Sequence, residues 1–229
     1  MTIILTNDDG IDAPGIRVLQ QVVNSRGNSE SIIVAPQEHQ SGCGHQVNTN
    51  KPIHVERRSD QEYAVASTPA DCTRLAVSHL CQDATYVISG INAGGNLGVD
   101  SYISGTIAAV REGVIHGIPG IAISHYIKKP LVIDWELAGR WTVTVLDNLF
   151  SRPLPPGTFW NVNFPHLEPG APDPELVFCQ PSKSPLPINY RVEGNKYYYQ
   201  GEYQKRDRTP GTDVDICFSG KIAITQLRL

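Results

Sequence analysis

The chain has 229 residues, 40% hydrophobic and 7% aromatic, with 19 basic against 23 acidic side chains and a formal charge of −4. That length suits one sizeable α/β core, and with neither half forming a basic arm, a surface built to coat a nucleic-acid polymer is excluded. Five scattered cysteines without a CxxC pair argue against a disulfide framework or structural zinc, and no stretch nears the roughly 20 apolar residues of a membrane span. The short apolar start also lacks the basic n-region of a signal peptide, so a soluble cytoplasmic protein with no membrane partner is expected.

The first 150 residues alternate in type. Ile3-Ile4-Leu5 reads as a buried strand, and Pro14 to Arg26 as a helix with Pro at its start and Ile16, Leu19, Val22 and Val23 on one face. Ser31 to Ala35 is a second strand, stopped by Pro36, and His45 to Ala66 reads as extended or hairpin structure. Thr68-Pro69-Ala70-Asp71 is a helix start with Thr68 as N-cap. In that helix Cys72, Leu75, Ala76, His79 and Leu80 share one stripe, which makes Cys72 a packed core position rather than a nucleophile. Tyr86 to Ile88 is a strand, Ser104 to His116 a helix, Ile121 to Ile123 a strand and Trp135 to Phe150 a helix. Continuous apolar strands between amphipathic helices predict a Rossmann-like, mostly parallel sheet with helices on both faces.

Beyond residue 152 the character changes. Ten of the 17 prolines lie between Pro153 and Pro187, an irregular stretch where helices are disfavoured. Phe159 to Phe164, Tyr197 to Tyr203 and Lys221 to Thr225 read as strands, the tyrosine run as hairpin packing or an oligomer contact. The organisation expected is a catalytic core over 1–152 and, over 153–229, the last core strands with a C-terminal β-rich extension. Lys205-Arg206-Asp207-Arg208 is the one dense basic run, read as solvated surface.

Chemistry should gather outside the carboxyl ends of the strands. After the first strand stands Asn7-Asp8-Asp9-Gly10, where two carboxylates can converge and repel unless a divalent cation relieves them, although Asp-Asp-Gly is also ordinary turn chemistry. After the second stands Ser41-Gly42, a hydroxyl beside a glycine that permits close backbone approach. After the third comes Ser89-Gly90-Ile91-Asn92-Ala93-Gly94-Gly95-Asn96-Leu97-Gly98, leading through Ser104-Gly105-Thr106 into a helix whose N-terminus suits a phosphate. The glycine spacing fits neither a dinucleotide fingerprint nor a P-loop, and a plain tight connection is the competing reading. If the three loops meet, Asp8, Asp9, Ser41 and Asn92 form an all-oxygen set that favours Mg²⁺, Mn²⁺ or Ca²⁺ over zinc. A divalent cation beside a phosphate-binding helix start points to phosphate-ester hydrolysis.

These segments, with Val34-Ala35-Pro36, Thr68 to Cys72, Tyr102 to Thr106 and Thr212-Asp213, resemble the survival protein SurE family of metal-dependent 5′/3′-nucleotidases over essentially the whole chain. The resemblance implies Asp8, Asp9, Ser41 and Asn92 as ligands of one divalent cation per subunit, Mg²⁺ or Mn²⁺, with Ca²⁺ able to take its place in crystals. It implies a nucleoside monophosphate substrate and a homodimer or homotetramer built through the C-terminal extension. Hydrolysis would proceed by metal-activated water, with Asp8 or Asp9 as base. Asn7, Gly42, Asn96, Ser104, Gly105 and Thr106 would hold the phosphate and substrate. A haloacid-dehalogenase-like phosphatase would want a DxD pair and a downstream lysine, whereas here the acids are adjacent and no lysine lies between Lys51 and Lys128. A non-catalytic nucleotide-binding protein is the alternative from a different class.

Overall fold

The computed structural model describes residues 1–27 and 29–229. The chain opens with β1 (Thr2–Thr6), α1 (Pro14–Ser25), β2 (Glu30–Pro36) and a hairpin of β3 (Val55–Ser59) and β4 (Glu62–Val65). It continues with α2 (Pro69–Leu75), β5 (Tyr86–Ala93), α3 (Gly105–Ile115), β6 (Gly120–His125) and α4 (Trp135–Phe150). Then come β7 (Thr158–Phe164), β8 (Leu176–Phe178), β9 (Tyr190–Glu193), β10 (Lys196–Tyr199), α5 (Asp213–Phe218) and β11 (Ile222–Arg228).

Nine strands form one sheet in the order β3-β4-β2-β1-β5-β6-β7-β11-β8, parallel except where β3 meets β4 and β11 meets β7. β7, β8 and β11, all beyond residue 152, complete that sheet, while β9 and β10 pair apart from it as a two-stranded hairpin. The alternation of side chains along each strand explains why both faces are apolar. Ile3 and Leu5 pack on one face with α1 and α4, and Ile4 on the other with Cys72 and Ala76. Each such side chain, removed from water, contributes roughly 1.5–3 kcal/mol.

The helix starts follow their sequence signals. Thr68 Oγ1 accepts from Asp71 N at 3.2 Å, Ser104 Oγ from Ile107 N at 3.1 Å and Asp134 Oδ1 from Leu137 N at 2.9 Å. Three expectations are corrected. His79 is exposed, because after Leu75 the winding widens into a π-turn over Ala76–Leu80 and carries residue 79 off the buried stripe that Cys72 and Ala76 keep. The tyrosine strand ends at Tyr199, and Tyr203 instead begins a 3₁₀ turn, Tyr203–Lys205, that folds back on the sheet. Arg206 is 4% exposed and not part of a solvated run, since it pairs inside the protein with Asp100.

The order of the strands also locates the site. From β1 the chain moves outward through β2 to β4, then crosses to β5 on the other side of β1. The crevice at such a reversal, between β1 and β5, is where open α/β sheets receive ligands.

Candidate functional site

The turn after β1 is built by Asn7. Its Nδ2 donates to the Gly10 carbonyl at 2.8 Å and its Oδ1 accepts from Gly10 N at 3.2 Å, so both polar atoms of the carboxamide are committed within the turn. This brace presents Asp8 and Asp9 at the strand end.

Asp8 is 4% exposed and faces the start of α3, where Thr106 Oγ1 donates to its Oδ1 at 2.6 Å. Burial raises its carboxyl to about 6; the Thr106 bond opposes that rise and the charge of Asp9 adds to it. The close approach requires glycine at position 105: a Cβ there would lie 2.9 Å from Asp8 Cβ and 3.0 Å from both Asp8 Oδ2 and Cys43 Sγ. Asp9 turns the other way, its Oδ2 accepting from Ala93 N at 2.8 Å while its Oδ1 stands 3.4 Å from His39 Nδ1.

The second loop is stitched to the first through Gln40 N, which donates to the Asp8 carbonyl at 2.7 Å, and to the approach of α3 through Gly44 N, which donates to the Ile103 carbonyl at 3.0 Å. Between these anchors lies an exposed tip where Gly42 takes φ +73° and the Ser41 hydroxyl makes no hydrogen bond among the described residues. The third loop begins with Asn92, 7% exposed, whose Nδ2 donates to the Gly94 carbonyl at 2.8 Å and leaves Oδ1 as its free oxygen. The three loops therefore do meet, joined by direct hydrogen bonds.

The start of α3 has ordinary helix-terminus chemistry. Ser104 N donates to the Asp100 carbonyl at 3.0 Å, Ile107 N is capped by Ser104 Oγ and the Thr106 N–H faces the Asp8 carboxylate, so among the described residues the Gly105 N–H is the one at this helix start without an acceptor. Asn96 sits deeper. Its Nδ2 donates to Ser124 Oγ at 2.8 Å, its N–H to Asn163 Oδ1 at 2.7 Å, and its carbonyl accepts from Asn161 and Asn163 at 2.9 and 3.0 Å. Asn161 and Asn163 were missed in the sequence, although two asparagines alternating on an otherwise apolar strand were the available signal. Ser182, Tyr203 and Arg206, which with Asp213 hold the same glycine-rich loop from the C-terminal side, carry no comparable local signal.

Among the described residues, no three His, Cys, Asp or Glu side chains gather as a metal cluster. The acids at the crevice are two, Asp8 and Asp9, so a cation there would complete its shell with neutral oxygens such as the Ser41 hydroxyl and the Asn92 carbonyl. A buried carboxylate with a raised pKa beside a second carboxylate is a donor set short of positive charge, which fits a hard dication.

Fold and site together define a doubly wound α/β protein whose switch-point crevice sets two carboxylates beside the N-terminal end of a helix. Comparison with known proteins narrows this class to one family. The family model described as survival protein SurE matches residues 3–184, and the chain belongs to the SurE family. A protein of Nostoc sp., provisionally named a 5′-nucleotidase, is 65% identical over 229 residues, covering 100% of both chains. The 5′-nucleotidase SurE of Paramagnetospirillum magneticum is 34% identical over 233 residues, covering 99% of this chain and 89% of that protein. The crystal structure of the SurE protein from Aquifex aeolicus superposes with a TM-score of 0.87 at 28% identity, covering 100% of this chain and 93% of that one.

Proposed function

We propose that this protein is a divalent-cation-dependent phosphatase that hydrolyses nucleoside 5′- and 3′-monophosphates to nucleoside and phosphate. The observation that carries the reading is the apposition of the buried Asp8 carboxylate and the start of α3, bridged by Thr106 at 2.6 Å. The 5′-nucleotidase names of the relatives support the substrate class.

In this reading Asp8, Asp9, Ser41 and Asn92 hold one cation per subunit, Mg²⁺ or Mn²⁺ by the hardness of the oxygen set. The cation, when bound, supplies positive charge to the phosphoryl group and acidity to the attacking water. The chain's own groups do the rest. The N–H groups of Gly42, Gly105 and Thr106 bind phosphoryl oxygens, aided by the positive end of α3, with Ser104 as its cap. Asp8 or Asp9 accepts the proton of the attacking water. Asn7 fixes the turn that aims both acids, and Asn96 anchors the glycine-rich loop beside the substrate. The exposed tyrosines of the β9–β10 hairpin form the contact of a homodimer or homotetramer, and five free thiols accord with a reducing cytoplasm.

Phosphate release from nucleoside monophosphates with Mn²⁺ or Mg²⁺, with and without chelator, tests this directly. Chelation should abolish turnover, and Asp8→Asn with Asp9→Asn should lower it by about 100-fold or more. Full activity in that double variant would sink the reading, and a trapped phosphoaspartate would redirect it to haloacid-dehalogenase chemistry.

A further inference from the structure

A polar pocket of about 480 Å³ opens beside the crevice, lined by Gln40, Gln46, Asn48, Asn50, Lys51 and Ser67 among others. It lies outside the carboxyl ends of β2 and β4, on the same side of the sheet as Asp8 and Asp9. Gln40 belongs to both places, since its N–H donates to the Asp8 carbonyl at 2.7 Å and its neighbour is Ser41. We propose that this pocket receives the nucleoside part of the substrate and reads the base through side-chain carboxamides. The assignment rests on the phosphatase reading above and adds to it where the leaving group sits.

The frame of the pocket is fixed and its lining is free. Asp71, 2% exposed, accepts from Asn48 N at 3.0 and 3.2 Å and from Ser67 Oγ at 2.5 Å, which ties the 46–51 loop to the start of α2. Thr68 Oγ1 adds a second tie by donating to the Gln46 carbonyl at 2.6 Å. By contrast, the carboxamides of Gln40 and Gln46 make no hydrogen bond among the described residues, and Lys51 has no acidic partner among them. Asn48 uses its Oδ1 on the N–H groups of Asn50 and Lys51, leaving Nδ2 available.

The chemistry suits a nucleobase. Each carboxamide offers two donors and an acceptor, the pattern that pairs with the edge of a base, and it reverses when the amide flips. Several in one pocket match every base to some extent, which predicts a broad preference among bases. The volume falls in the range of small-molecule sites, roughly 300–1,000 Å³. Lys51 is the one charged side chain in this lining, and the rest of its polar groups are neutral carboxamides and hydroxyls, so the pocket offers mainly neutral hydrogen-bonding partners beside the α3 start.

The test uses Gln46→Leu, Asn50→Leu and the double variant, all at exposed positions outside the catalytic set. Steady-state kinetics are compared for the four common nucleoside 5′-monophosphates, ribose 5-phosphate and p-nitrophenyl phosphate. The double variant should lose about tenfold in kcat/KM for nucleotides, mostly through KM, while ribose 5-phosphate and p-nitrophenyl phosphate change less than about twofold. Equal losses on all substrates, or no loss on any, would overturn the subsite. If the wild-type protein turns over none of them, the phosphatase reading has failed by itself. Calorimetric titration of adenosine then decides the pocket: binding that weakens in the double variant supports it, and binding that is absent or unchanged overturns it.

Discussion

Arg206 donates to Asp100 Oδ2 at 2.7 Å and to the Leu97 carbonyl at 3.1 Å, in an ion pair whose side chains are 1% and 6% exposed. Tyr203 OH and Leu97 N reach the same Asp100 oxygen at 2.6 and 3.0 Å. The Asp100 carbonyl in turn accepts from Ile103 N and Ser104 N, at the threshold of α3. Asp213 makes a second clamp, taking Gly98 N at 2.7 Å and Ser182 N at 2.8 Å. The C-terminal segment thus holds the approach to the helix start that faces Asp8.

Removing one partner of a buried ion pair leaves the other charge unmatched. Arg206→Met should therefore destabilise the protein by about 3–5 kcal/mol, read from urea unfolding. Arg206→Met with Asp100→Asn should recover part of that loss, because the orphaned charge is gone. A single-variant loss below about 1 kcal/mol, the scale of a surface pair, would mean that the guanidinium finds water in solution.

That clamp also shows where sequence reasoning stops. The parallel core was legible because Ile3-Ile4-Leu5, Ser31 to Ala35 and Ile121 to Ile123 are continuous apolar runs between helices with marked starts at Pro14, Thr68 and Ser104. The loops after β1, β2 and β5 were legible because fold topology says where strand ends converge. Lys205 to Arg208 looked solvated because charge density alone cannot reveal a partner 106 positions away, as Asp100 is from Arg206. Tyr203 was assigned to a strand by its aromatic neighbours, yet its hydroxyl is fixed by that same distant carboxylate. His79 failed for a local reason, since a single π-turn shifts every later residue around the helix axis. In each case a hydrogen bond or winding change overrode a propensity read over a few residues.

Thr106 is the next position to probe, because its hydroxyl holds Asp8 Oδ1 at 2.6 Å in a buried setting. Hydrogen bonds to charged groups contribute about 1.5–3 kcal/mol, so Thr106→Val should lower kcat/KM by roughly 10- to 100-fold. Thr106→Ser keeps the donor and should stay within about threefold of wild type. A Thr106→Val variant that stays within about threefold of wild type would overturn the role of the bond with Asp8, and a loss confined to Thr106→Ser would assign the effect to the γ-methyl and its packing.

Gly105→Ala separates helix propensity from crowding. Alanine favours a helix interior over glycine by up to about 1 kcal/mol, whereas crowding at a packed site costs about 1–3 kcal/mol, so the melting temperature should fall. The added Cβ would sit 2.9 Å from Asp8 Cβ and 3.0 Å from Asp8 Oδ2, and must displace the carboxylate. Calorimetric titration of Mn²⁺ should show affinity reduced by about tenfold or more. Unchanged affinity would place the cation away from Asp8.

His125, at the end of β6, gives the fold a pH dependence separable from the site. It is 2% exposed, and burial pushes its imidazole down to about 4, with a bond to the Tyr126 carbonyl acting the other way. An unfolded histidine titrates near 6.5. Between those values the unfolded chain binds a proton that the native chain refuses, so stability falls as pH drops from about 6.5 to about 4. Above that window both states carry a neutral ring, and below it both are protonated, so neither region adds a slope. The full loss from this one group is about 3 kcal/mol. Asp8 acts in the opposite sense, because a raised carboxyl favours the native state on acidification, so the wild-type curve alone is a sum of terms. The informative quantity is the difference between wild type and His125→Asn, whose amide keeps a donor for the Tyr126 carbonyl but has no titrating ring. Urea unfolding at pH 7.5, 6, 5 and 4 should show the wild type losing more stability on acidification than the variant, with the gap growing through the window. Parallel curves would mean that the ring reaches water in the native state and titrates as it does in the unfolded chain.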